Sequence, residues 1–355
     1  MKHRSRSPIL LSGNEAMGEA AIRAGCFFYA GYPITPQNEL TAYMARRMNE
    51  ERRVFIQAES EIAAINMVYG AAACGFRAMT SSSSPGISLK QEGISYMAGT
   101  QLPGVIINVM RGGPGLGNIS SSQSDYFQAT RGGGHGDYFT PTLAPASTQE
   151  AAALTMLSFD IADYYRTPVM VLADAIIGQI IEPLVIPSRS SFTKKLPAKD
   201  WILDGAKGRA PNIIRSLLLG EGALEAHNEV LRTKWEAIAK YEQRYETYET
   251  DDARILVIAY GSQARISHEA VTLLRQNNIK AGLFRPISLW PFPSNGLCAI
   301  TKKIKKIVVV EQSLGQMVED VRLSVPQKEI TFLGKAGGGI PQPGEIIRAI
   351  KKIYA

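Results

Sequence analysis

Glu61 is the residue of this sequence best placed for acid–base chemistry. It opens a predicted helix, Glu61 to Ala73, whose residues are apolar almost all the way round, and such a helix is usually buried between layers of a domain. A carboxylate at the start of that helix lies where water is scarce, so its charge is costly unless a ligand or a partner uses it. The alternative is that Glu61 is an ordinary acidic residue of the first turn, which follows Ser60 as N-cap and interacts favourably with the helix dipole. Taken alone, Glu61 fits this second interpretation more simply.

Three other polar segments follow predicted strands. Thr35 is held in a rigid turn by two prolines and a glycine, Ser81 to Ser84 form a hydroxyl-rich loop, and Arg111 opens a glycine-rich loop. In an open parallel sheet, ligands bind outside the carboxyl ends of the strands. We therefore expect these segments and Glu61 to meet at one rim of the sheet. The strands expected to deliver them are Cys26 to Ala30, Phe76 to Thr80 and Val105 to Met110.

The alternation of apolar strands with longer helical stretches predicts two α/β units. From Ile9 to about Pro187 it indicates a doubly wound parallel sheet with helices on both faces. Residues 188–252 break the rhythm and form a predicted connector, in which Leu231 to Tyr248 has the pattern of one long amphipathic helix. A smaller α/β unit follows in residues 253–355. Its expected elements are strands at Ile255 to Ala259, Ala281 to Phe284 and Ile307 to Val310, and helices at Ala264 to Gln276 and from Gly344 onward.

Size and composition favour a globular protein of two domains: the chain has 355 residues, of which 45% are hydrophobic and 20% charged. The basic stretch Met1 to Ser7 leads into too short an apolar run for a signal peptide. No run of about 18 apolar residues occurs either. We therefore expect a cytoplasmic protein without a membrane segment.

Charge and cysteine content exclude several other classes. The net charge of +7 comes from scattered lysines and arginines without interleaved aromatics, so no nucleic-acid partner is expected. The densest basic group, Lys302 to Lys306, fits the end of a helix that enters a strand. Cys26, Cys74 and Cys298 are too far apart in sequence for a zinc site or an iron–sulfur cluster, and we expect them to be small buried hydrophobic residues.

Common catalytic and nucleotide-binding motifs are missing. The glycines from Gly112 to Gly117 do not fit a dinucleotide-binding or P-loop pattern, and the sequence has no Gly-x-Ser-x-Gly elbow. His135 is the one histidine expected near the rim. It could shuttle protons, although a histidine of a surface loop is the simpler interpretation.

The motifs together resemble the alpha subunit of 2-oxoacid:ferredoxin oxidoreductases, and more specifically the 2-oxoisovalerate, or branched-chain, type. The resemblance covers nearly the whole chain. It implies a thiamine diphosphate pyrimidine-binding domain in residues 1–187 and a transketolase C-terminal-like domain in residues 253–355. The matching segments are Gly31-Tyr32-Pro33-Ile34-Thr35-Pro36, Glu59-Ser60-Glu61-Ile62-Ala63-Ala64 with Gly70-Ala71-Ala72, Met110-Arg111-Gly112-Gly113-Pro114-Gly115, Tyr260-Gly261-Ser262 and Arg285-Pro286-Ile287-Ser288-Leu289-Trp290-Pro291-Phe292-Pro293.

The resemblance also implies roles for single residues. A glutamate at the position of Glu61 hydrogen-bonds to the aminopyrimidine ring of the cofactor, a task that suits a carboxyl group in a dry pocket. Thr35 is implied to contact the substrate, and Arg111 to bind the substrate carboxylate with its guanidinium fork. From the residues alone, Thr35 could merely cap a turn, and Arg111 could pair with an acid such as Asp125. The residues implied in cofactor binding are Glu61, Tyr32, Pro33 and Ile34.

Two features expected of a complete enzyme of this kind are missing from the chain. It has no Gly-Asp-Gly segment, which holds the diphosphate through Mg²⁺ in thiamine diphosphate enzymes, and no cluster-forming cysteines. We therefore expect one half of an active site at a subunit interface. A beta subunit would supply the diphosphate half with Mg²⁺, and gamma and delta subunits the iron–sulfur clusters. The implied reaction converts a 2-oxoacid to acyl-CoA and CO₂, with coenzyme A accepting the acyl group and ferredoxin the electrons.

Three alternatives stay open from the sequence. The substrate could be pyruvate or 2-oxoglutarate instead of a branched-chain 2-oxoacid. The chain could be a non-catalytic binding module of the same fold, although the acid at position 61 argues against this. It could belong to the related dehydrogenase or transketolase groups, with a lipoyl or sugar acceptor, although the Tyr32 to Pro36 turn favours the ferredoxin-linked family.

Overall fold

The structure, a computed structural model, describes residues 7–354, so the basic amino-terminal stretch apart from Ser7 lies outside the described residues. The strands are β1 (Ile9–Ser12), β2 (Phe28–Gly31), β3 (Val54–Gln57), β4 (Ala78–Ser82), β5 (Gly104–Met110), β6 (Thr142–Leu143), β7 (Pro168–Asp174), β8 (Ile181–Leu184), β9 (Tyr245–Tyr248), β10 (Ile255–Ile258), β11 (Ala281–Pro286), β12 (Ser288–Trp290), β13 (Lys306–Glu311) and β14 (Glu329–Gly334). The helices are α1 (Gly13–Arg23), α2 (Asn38–Glu50), α3 (Glu61–Ala73), α4 (Ser84–Gly99), α5 (Tyr126–Thr130), α6 (Thr148–Tyr165), α7 (Ala175–Gln179), α8 (Ala223–Tyr241), α9 (Gly261–Gln276), α10 (Ser294–Ile300), α11 (Met317–Ser324) and α12 (Pro343–Tyr354).

The larger sheet has the strand order β12-β6-β7-β5-β4-β2-β3, and all of its strands except β12 run parallel. Strand β5 is buried along its whole length, as expected for a continuous apolar run in the middle of a parallel sheet. Its side chains alternate between two cores: Ile106 faces the core that contains α3 and α4, and Ile107 faces the core that contains α1 and α2. The predicted α/β sheet with helices on both faces is therefore confirmed.

The smaller sheet has the order β14-β13-β10-β11-β9, and only β9 at its edge is antiparallel. Strand β9 lies in the predicted connector, so the expectation of one helix from Leu231 to Tyr248 is wrong at its carboxyl end. Helix α8 ends at Tyr241, and Tyr245–Tyr248 pair with β11. The tyrosines and the threonine of this segment favour a strand once a partner is available.

Two strands depart from the expected division into consecutive units. Strand β1 pairs antiparallel with β8 in a separate two-stranded sheet, so the larger sheet does not begin at Ile9 but at β2. Strand β12, from the second half of the chain, pairs with β6 at the edge of the larger sheet. The two halves of the chain are therefore joined through a shared sheet.

The cysteine expectation is wrong at two of its three positions. Cys26 is buried, and burial raises the pKa of its thiol to about 12, whereas Cys74 and Cys298 are exposed. The basic group at Lys302 to Lys306 does link a helical end to a strand, because a 3-10 turn at Thr301–Lys303 precedes β13. Within residues 7–354, every helix is too short or too polar to cross a bilayer.

Candidate active site

Glu61 lies inside the protein at the amino-terminal end of α3. Ser60 caps the helix, its hydroxyl accepting a hydrogen bond from the Ala63 amide at 3.2 Å. The Glu61 side chain points towards the start of α4, where a methyl group placed on Gly86 would come within 2.5 Å of Oε1. Only 6% of Glu61 is exposed, and no described residue donates a hydrogen bond to its carboxylate. The carboxylate is thus enclosed but retains its capacity to bind a donor.

One face of helix α3 is uncovered, so the prediction of a helix buried on every side is wrong for this chain by itself. Ile62 is 48% exposed, and Asn66 and Gly70 share its face at intervals of four residues. Met67 and Tyr69 beside them are half-buried. The opposite face, including Ile65 and Val68, belongs to the core. Among the described residues nothing packs over the Ile62 face, which begins one residue after Glu61.

The turn that contains Thr35 is held in place by hydrogen bonds of a buried side-chain amide, that of Gln37. Gln37 is fully buried, and its Oε1 accepts hydrogen bonds from Ser81 Oγ at 2.7 Å and from Thr41 Oγ1 at 3.0 Å. Its Nε2 donates to the Tyr32 carbonyl at 3.3 Å. Thr35 itself is half-buried, and its hydroxyl accepts a hydrogen bond from Asn38 Nδ2 at 3.1 Å. The turn is therefore held rigidly on β4 and α2.

The three residues before Thr35 form the outer side of this turn. Tyr32 is 39% exposed, Pro33 is also exposed and Ile34 is half-buried. These positions give the turn a partly apolar surface that faces outward, at the ends of the parallel strands.

Arg111 follows β5 and binds the turn directly. Its Nη1 donates to the Thr35 carbonyl at 3.0 Å, and its Nη2 donates to the Leu116 carbonyl at 3.1 Å. Arg111 is only 7% exposed, and its Nε has no hydrogen-bond partner among the described residues. Arg111 does not form the alternative ion pair with Asp125. The guanidinium is neutralised by no described carboxylate, so its charge is available to an anion.

Asp125 instead supports the backbone beside Arg111. Its Oδ2 accepts hydrogen bonds from Ser84 Oγ at 2.6 Å and from Asn108 Nδ2 at 2.9 Å. Ser84 Oγ in turn accepts from the Arg111 amide at 3.0 Å. Burial raises the pKa of Asp125 above its ordinary value, and the two hydrogen bonds oppose this rise. From the residues alone, Asp125 was expected only as an alternative ion-pair partner of the guanidinium.

The serine segment joins these parts at the end of β4. Ser82 and Ser83 are buried, and their hydroxyls lack hydrogen-bond partners among the described residues. A methyl group on Gly86 would lie 2.0 Å from Ser82 Oγ as well as against Glu61. The expected meeting of the four segments is thus observed: Glu61 lies against the serine segment, Ser84 contacts Arg111, and Arg111 contacts Thr35.

A cavity of about 340 Å³ opens beside Arg111. One side comes from the first half of the chain and the other from the second half. The lining residues are Ser84, Pro85, Ser88, Arg111 to Gly115, Ser124, Asp125, Leu314, Gln316, Ala336 and Gly337.

The larger cavities of the described chain lie elsewhere and have different chemistry. One of about 500 Å³ surrounds Arg285, whose guanidinium already binds Glu150 and Glu246. The cavity beside Arg111 borders two of the four predicted segments, at Ser84 and at Arg111 to Gly115, whereas Thr35 and Glu61 are not among its lining residues.

Lys90 is a residue of this region that the sequence reasoning missed. It lies on the buried face of α4, is fully buried, and its Nζ donates to the Glu61 backbone carbonyl at 3.3 Å. Burial lowers the pKa of Lys90 to about 8, and the nearby charge of Glu61 opposes this. The spacing Ile87, Lys90, Ile94 was the available signal, because it puts a lysine in line with core residues of a helix.

His135 is not brought to this region. It lies in an exposed loop, and its carbonyl accepts a hydrogen bond from Ser95 Oγ at 2.8 Å. Ser95 follows Ser84 by eleven residues in α4, which corresponds to about 16 Å along the helix. The surface-loop interpretation of His135 is therefore the one the structure supports.

Two family models match the chain almost end to end. Residues 19–249 match the thiamine diphosphate-binding domain of pyruvate flavodoxin/ferredoxin oxidoreductases, and residues 253–346 match core domain II of pyruvate:ferredoxin oxidoreductases.

Curated relatives and solved structures agree with these matches. The chain is 45% identical to the ketoisovalerate oxidoreductase subunit VorB of Methanothermobacter marburgensis, over 97% of both chains. It is 37% identical to the 2-oxoglutarate synthase subunit KorA of Methanothermobacter thermautotrophicus, over 97% of this chain and 98% of that subunit. Its fold is similar to that of the 2-oxoglutarate:ferredoxin oxidoreductase from Magnetococcus marinus, solved with 2-oxoglutarate, coenzyme A and succinyl-CoA bound, with a TM-score of 0.85 and 26% identity. That match covers 99% of this chain and 66% of the other.

Proposed function

Because the chain belongs to the pyruvate flavodoxin/ferredoxin oxidoreductase family and is a subunit of a 2-oxoacid:ferredoxin oxidoreductase, we propose that it supplies the pyrimidine side of an active site for branched-chain 2-oxoacids. The assembled enzyme would convert 2-oxoisovalerate, coenzyme A and oxidised ferredoxin to acyl-CoA, CO₂ and reduced ferredoxin. The observation on which this proposal rests is the enclosed Glu61 carboxylate, free of hydrogen-bond donors, in the same group of segments as the unpaired Arg111 guanidinium.

The chain has a thiamine diphosphate-binding domain, and its residues fit the pyrimidine end of that cofactor. Glu61 offers a carboxyl group that, in its protonated form, would donate a hydrogen bond to a ring nitrogen, the Ser82 and Ser83 hydroxyls are unpaired, and Gly86 leaves the space between them open. The outward side of the turn, at Tyr32, Pro33 and Ile34, would line the same site. When bound, thiamine diphosphate supplies the electron sink for decarboxylation. Glu61 would hold the ring and accept or return its proton.

Arg111 and Thr35 are proposed to hold the substrate. A guanidinium forms charge-assisted hydrogen bonds to a carboxylate, and the two carbonyls that hold Arg111 leave Nε and one N–H of each Nη for that purpose. Because Thr35 is held by the same guanidinium, its hydroxyl and the bound anion would keep a fixed separation.

The cavity beside Arg111 favours a substrate with one carboxylate and an aliphatic side chain. Among its lining residues, all from the described part of the chain, Arg111 is the one cation, and Pro85, Pro114 and Leu314 contribute apolar surface. 2-Oxoglutarate carries a second carboxylate that would need another cation from a partner. The higher identity to a subunit named for ketoisovalerate than to one named for 2-oxoglutarate supports the same choice.

Partner subunits are implied by the family, and we propose which part of the chain meets one of them. The uncovered Ile62 face of α3 begins beside Glu61 and is largely apolar, so a beta subunit that closes this face would also close the cofactor site. That subunit would supply Mg²⁺ and the diphosphate half, and gamma and delta subunits would supply the iron–sulfur clusters. The location proposed for the assembly is the cytoplasm.

Two measurements test the proposal. The complex reconstituted with its partner subunits is assayed with 2-oxoisovalerate, pyruvate and 2-oxoglutarate by ferredoxin reduction. We expect kcat/KM to be highest for 2-oxoisovalerate, and a preference for 2-oxoglutarate would contradict the substrate assignment. Calorimetry of this chain alone with thiamine diphosphate should give no tight binding, whereas micromolar binding without a partner would contradict a site shared between subunits.

A further inference from the structure

Gln316, at the residue before α11, connects the second half of the chain to the loop that carries Asp125. Its Nε2 donates a hydrogen bond to the Ser124 carbonyl at 2.7 Å, and its Oε1 accepts one from the Phe127 amide at 2.8 Å. Because one partner is an acceptor and the other a donor, the side-chain amide satisfies both in a single orientation. The two bonds lie on either side of Asp125 in the sequence. They therefore fix the backbone before and after that residue.

The backbone of Gln316 is itself held by a buried carboxylate. Glu311, at the end of β13, is fully buried, and its Oε2 accepts hydrogen bonds from the amides of Gln316 at 3.1 Å and Met317 at 3.0 Å. Its Oε1 accepts from the Val318 amide at 2.9 Å. Hydrogen bonds to an ionisable acceptor at the start of a helix are among the stronger ones in proteins. Gln316 thus extends its side chain from a backbone whose position the second half of the chain determines.

Asp125 carries this contact further, towards Arg111. Its Oδ2 accepts hydrogen bonds from Ser84 Oγ at 2.6 Å and from Asn108 Nδ2 at 2.9 Å. Ser84 Oγ accepts in turn from the Arg111 amide at 3.0 Å. A continuous set of hydrogen bonds therefore runs from Gln316, through the backbone beside Asp125, to the residue after β5.

Other contacts also attach this loop to the second half of the chain. The Gln123 amide donates to the Gln312 carbonyl at 2.9 Å, and the Tyr126 hydroxyl donates to Asp320 Oδ2 at 2.5 Å. These contacts do not depend on the Gln316 side chain. A variant of Gln316 should therefore keep the loop attached and lose only the two local bonds.

We propose that Gln316 is a positioning residue for the substrate-carboxylate site, because it fixes Asp125 and thereby the backbone of Arg111. This inference rests on the proposed role of Arg111. Gln316 and Arg111 line the same cavity of about 340 Å³. A guanidinium binds an anion through N–H groups of fixed direction, and hydrogen bonds weaken steeply when their angles change. The second half of the chain would thus contribute to substrate binding through the placement of a residue in the first half.

The test compares Gln316→Met with Gln149→Met as the matched control. Gln149 makes the same kind of bonds: its Nε2 donates to the Val185 carbonyl at 2.9 Å, and its Oε1 accepts from the Val185 amide at 2.9 Å. Both variants keep the length of the side chain and lose the amide. KM, kcat and thiamine diphosphate affinity are measured on the reconstituted complex, with the 2-oxoacid that has the highest kcat/KM. Thermal unfolding of the isolated chain is measured alongside.

We expect Gln316→Met to raise KM for the 2-oxoacid by about 5- to 30-fold, the range for one or two lost hydrogen bonds. Its kcat and its affinity for thiamine diphosphate should stay close to those of the parent complex, since uniform binding of the substrate is what is lost. Gln149→Met should leave all three quantities unchanged. An unchanged KM in Gln316→Met would overturn the inference. So would an equal rise in Gln149→Met, or a joint loss of kcat and cofactor affinity in Gln316→Met, which would indicate a general structural role.

A double-mutant cycle with Asp125→Ala tests the path of the effect. If Gln316 acts through Asp125, the two changes are not additive, and the double variant should have nearly the KM of Asp125→Ala alone. A KM that reflects the product of the two single effects would overturn this path. Should Gln316→Met give no assembled complex, Gln316→Glu is used for the same measurements. It keeps the bond from the Phe127 amide and loses the one to the Ser124 carbonyl.

The inference and the proposed function fail differently. A raised KM in Arg111→Ala together with an unchanged KM in Gln316→Met would remove Gln316 from its role and leave Arg111 in place. An unchanged KM in Arg111→Ala would remove the proposed carboxylate site itself.

Discussion

The guanidinium of Arg111 donates a hydrogen bond to the backbone carbonyl of Thr35 at 3.0 Å, although the two residues are 76 positions apart in sequence. This contact passes over the end of β4, which lies between β2 and β5 in the sheet. It locks the turn after β2 to the loop after β5, directly above the serine segment. The site is therefore a single connected unit and not four independent loops.

Removing the Arg111 side chain should weaken the use of 2-oxoacids chiefly through KM. A lost charge-assisted hydrogen bond costs roughly 1.5–3 kcal/mol, so Arg111→Ala should raise KM by about 10- to 100-fold. Arg111→Lys keeps the charge but not the planar guanidinium, so its KM should lie between that of the parent chain and that of Arg111→Ala. Steady-state kinetics of the reconstituted complex check this, with thiamine diphosphate affinity as the control for the integrity of the site. Unchanged kinetics in Arg111→Ala would mean that the substrate anion is bound elsewhere.

Gly86 should not tolerate any side chain. A methyl group there would lie 2.0 Å from Ser82 Oγ and 2.5 Å from Glu61 Oε1, so Gly86→Ala must displace the carboxylate. We expect kcat of the complex to fall by about 100-fold or more, as when a group that transfers protons is misplaced. Gly99→Ala, at the end of the same helix, is the matched control, because its new methyl group would meet only Ser216 Cβ at 3.7 Å. Equal activity of the two variants would show that Glu61 does not need its present position.

A charge on the uncovered face of α3 should prevent assembly without unfolding the chain. Ile62 is 48% exposed here, so Ile62→Asp should change the free energy of unfolding of the isolated chain by less than about 0.5 kcal/mol. In a closed interface the same charge would cost several kcal/mol, and native mass spectrometry should detect no complex. Val230→Asp on α8, where the side chain is 55% exposed, should assemble normally. Assembly of Ile62→Asp with normal affinity would place the partner on another face.

Asp125 should make the stability of the chain depend on pH in an unusual direction. Burial raises its pKa, so its folded pKa exceeds the unfolded one and the fold loses stability as the pH rises through that interval. Asp125→Asn lacks this titration. The melting temperature of Asp125→Asn should therefore rise relative to that of the parent chain as the pH is raised from 4 towards neutrality. Parallel pH dependence of the two proteins would show that Asp125 does not titrate as its surroundings imply.

The sequence predicted correctly those helices and strands whose ends are set by residues within or next to the element. Helix α3 begins and ends where expected, because Ser60 caps it and Gly75, at a φ of 87°, follows its C-cap Cys74. Strand β5 was predicted within one residue, because a continuous apolar run needs two covered faces. The placement of Thr35, Glu61 and Arg111 at one rim followed from topology alone, since parallel strands end at the same side of a sheet.

Elements stabilised by distant partners could not be predicted in this way. Strand β9 depends on its ladder with β11, and β12 on its pairing with β6 from the other half of the chain. The open face of α3 was unpredictable for a related reason, because its sequence is apolar whether this chain or another one covers it. Lys90 was missed because its contact with Glu61 depends on how α4 is rotated against α3.

The most direct test of the account is the turnover of a reconstituted Glu61→Gln complex. Glutamine has nearly the shape of glutamate but can neither ionise nor take up a proton, so thiamine diphosphate should still bind while kcat falls by about 10²- to 10⁴-fold. The measurement is ferredoxin reduction with saturating 2-oxoisovalerate, and calorimetry verifies that the cofactor site is filled. Near-normal turnover by this variant would contradict the role of Glu61, and with it the proposed division of the active site between subunits.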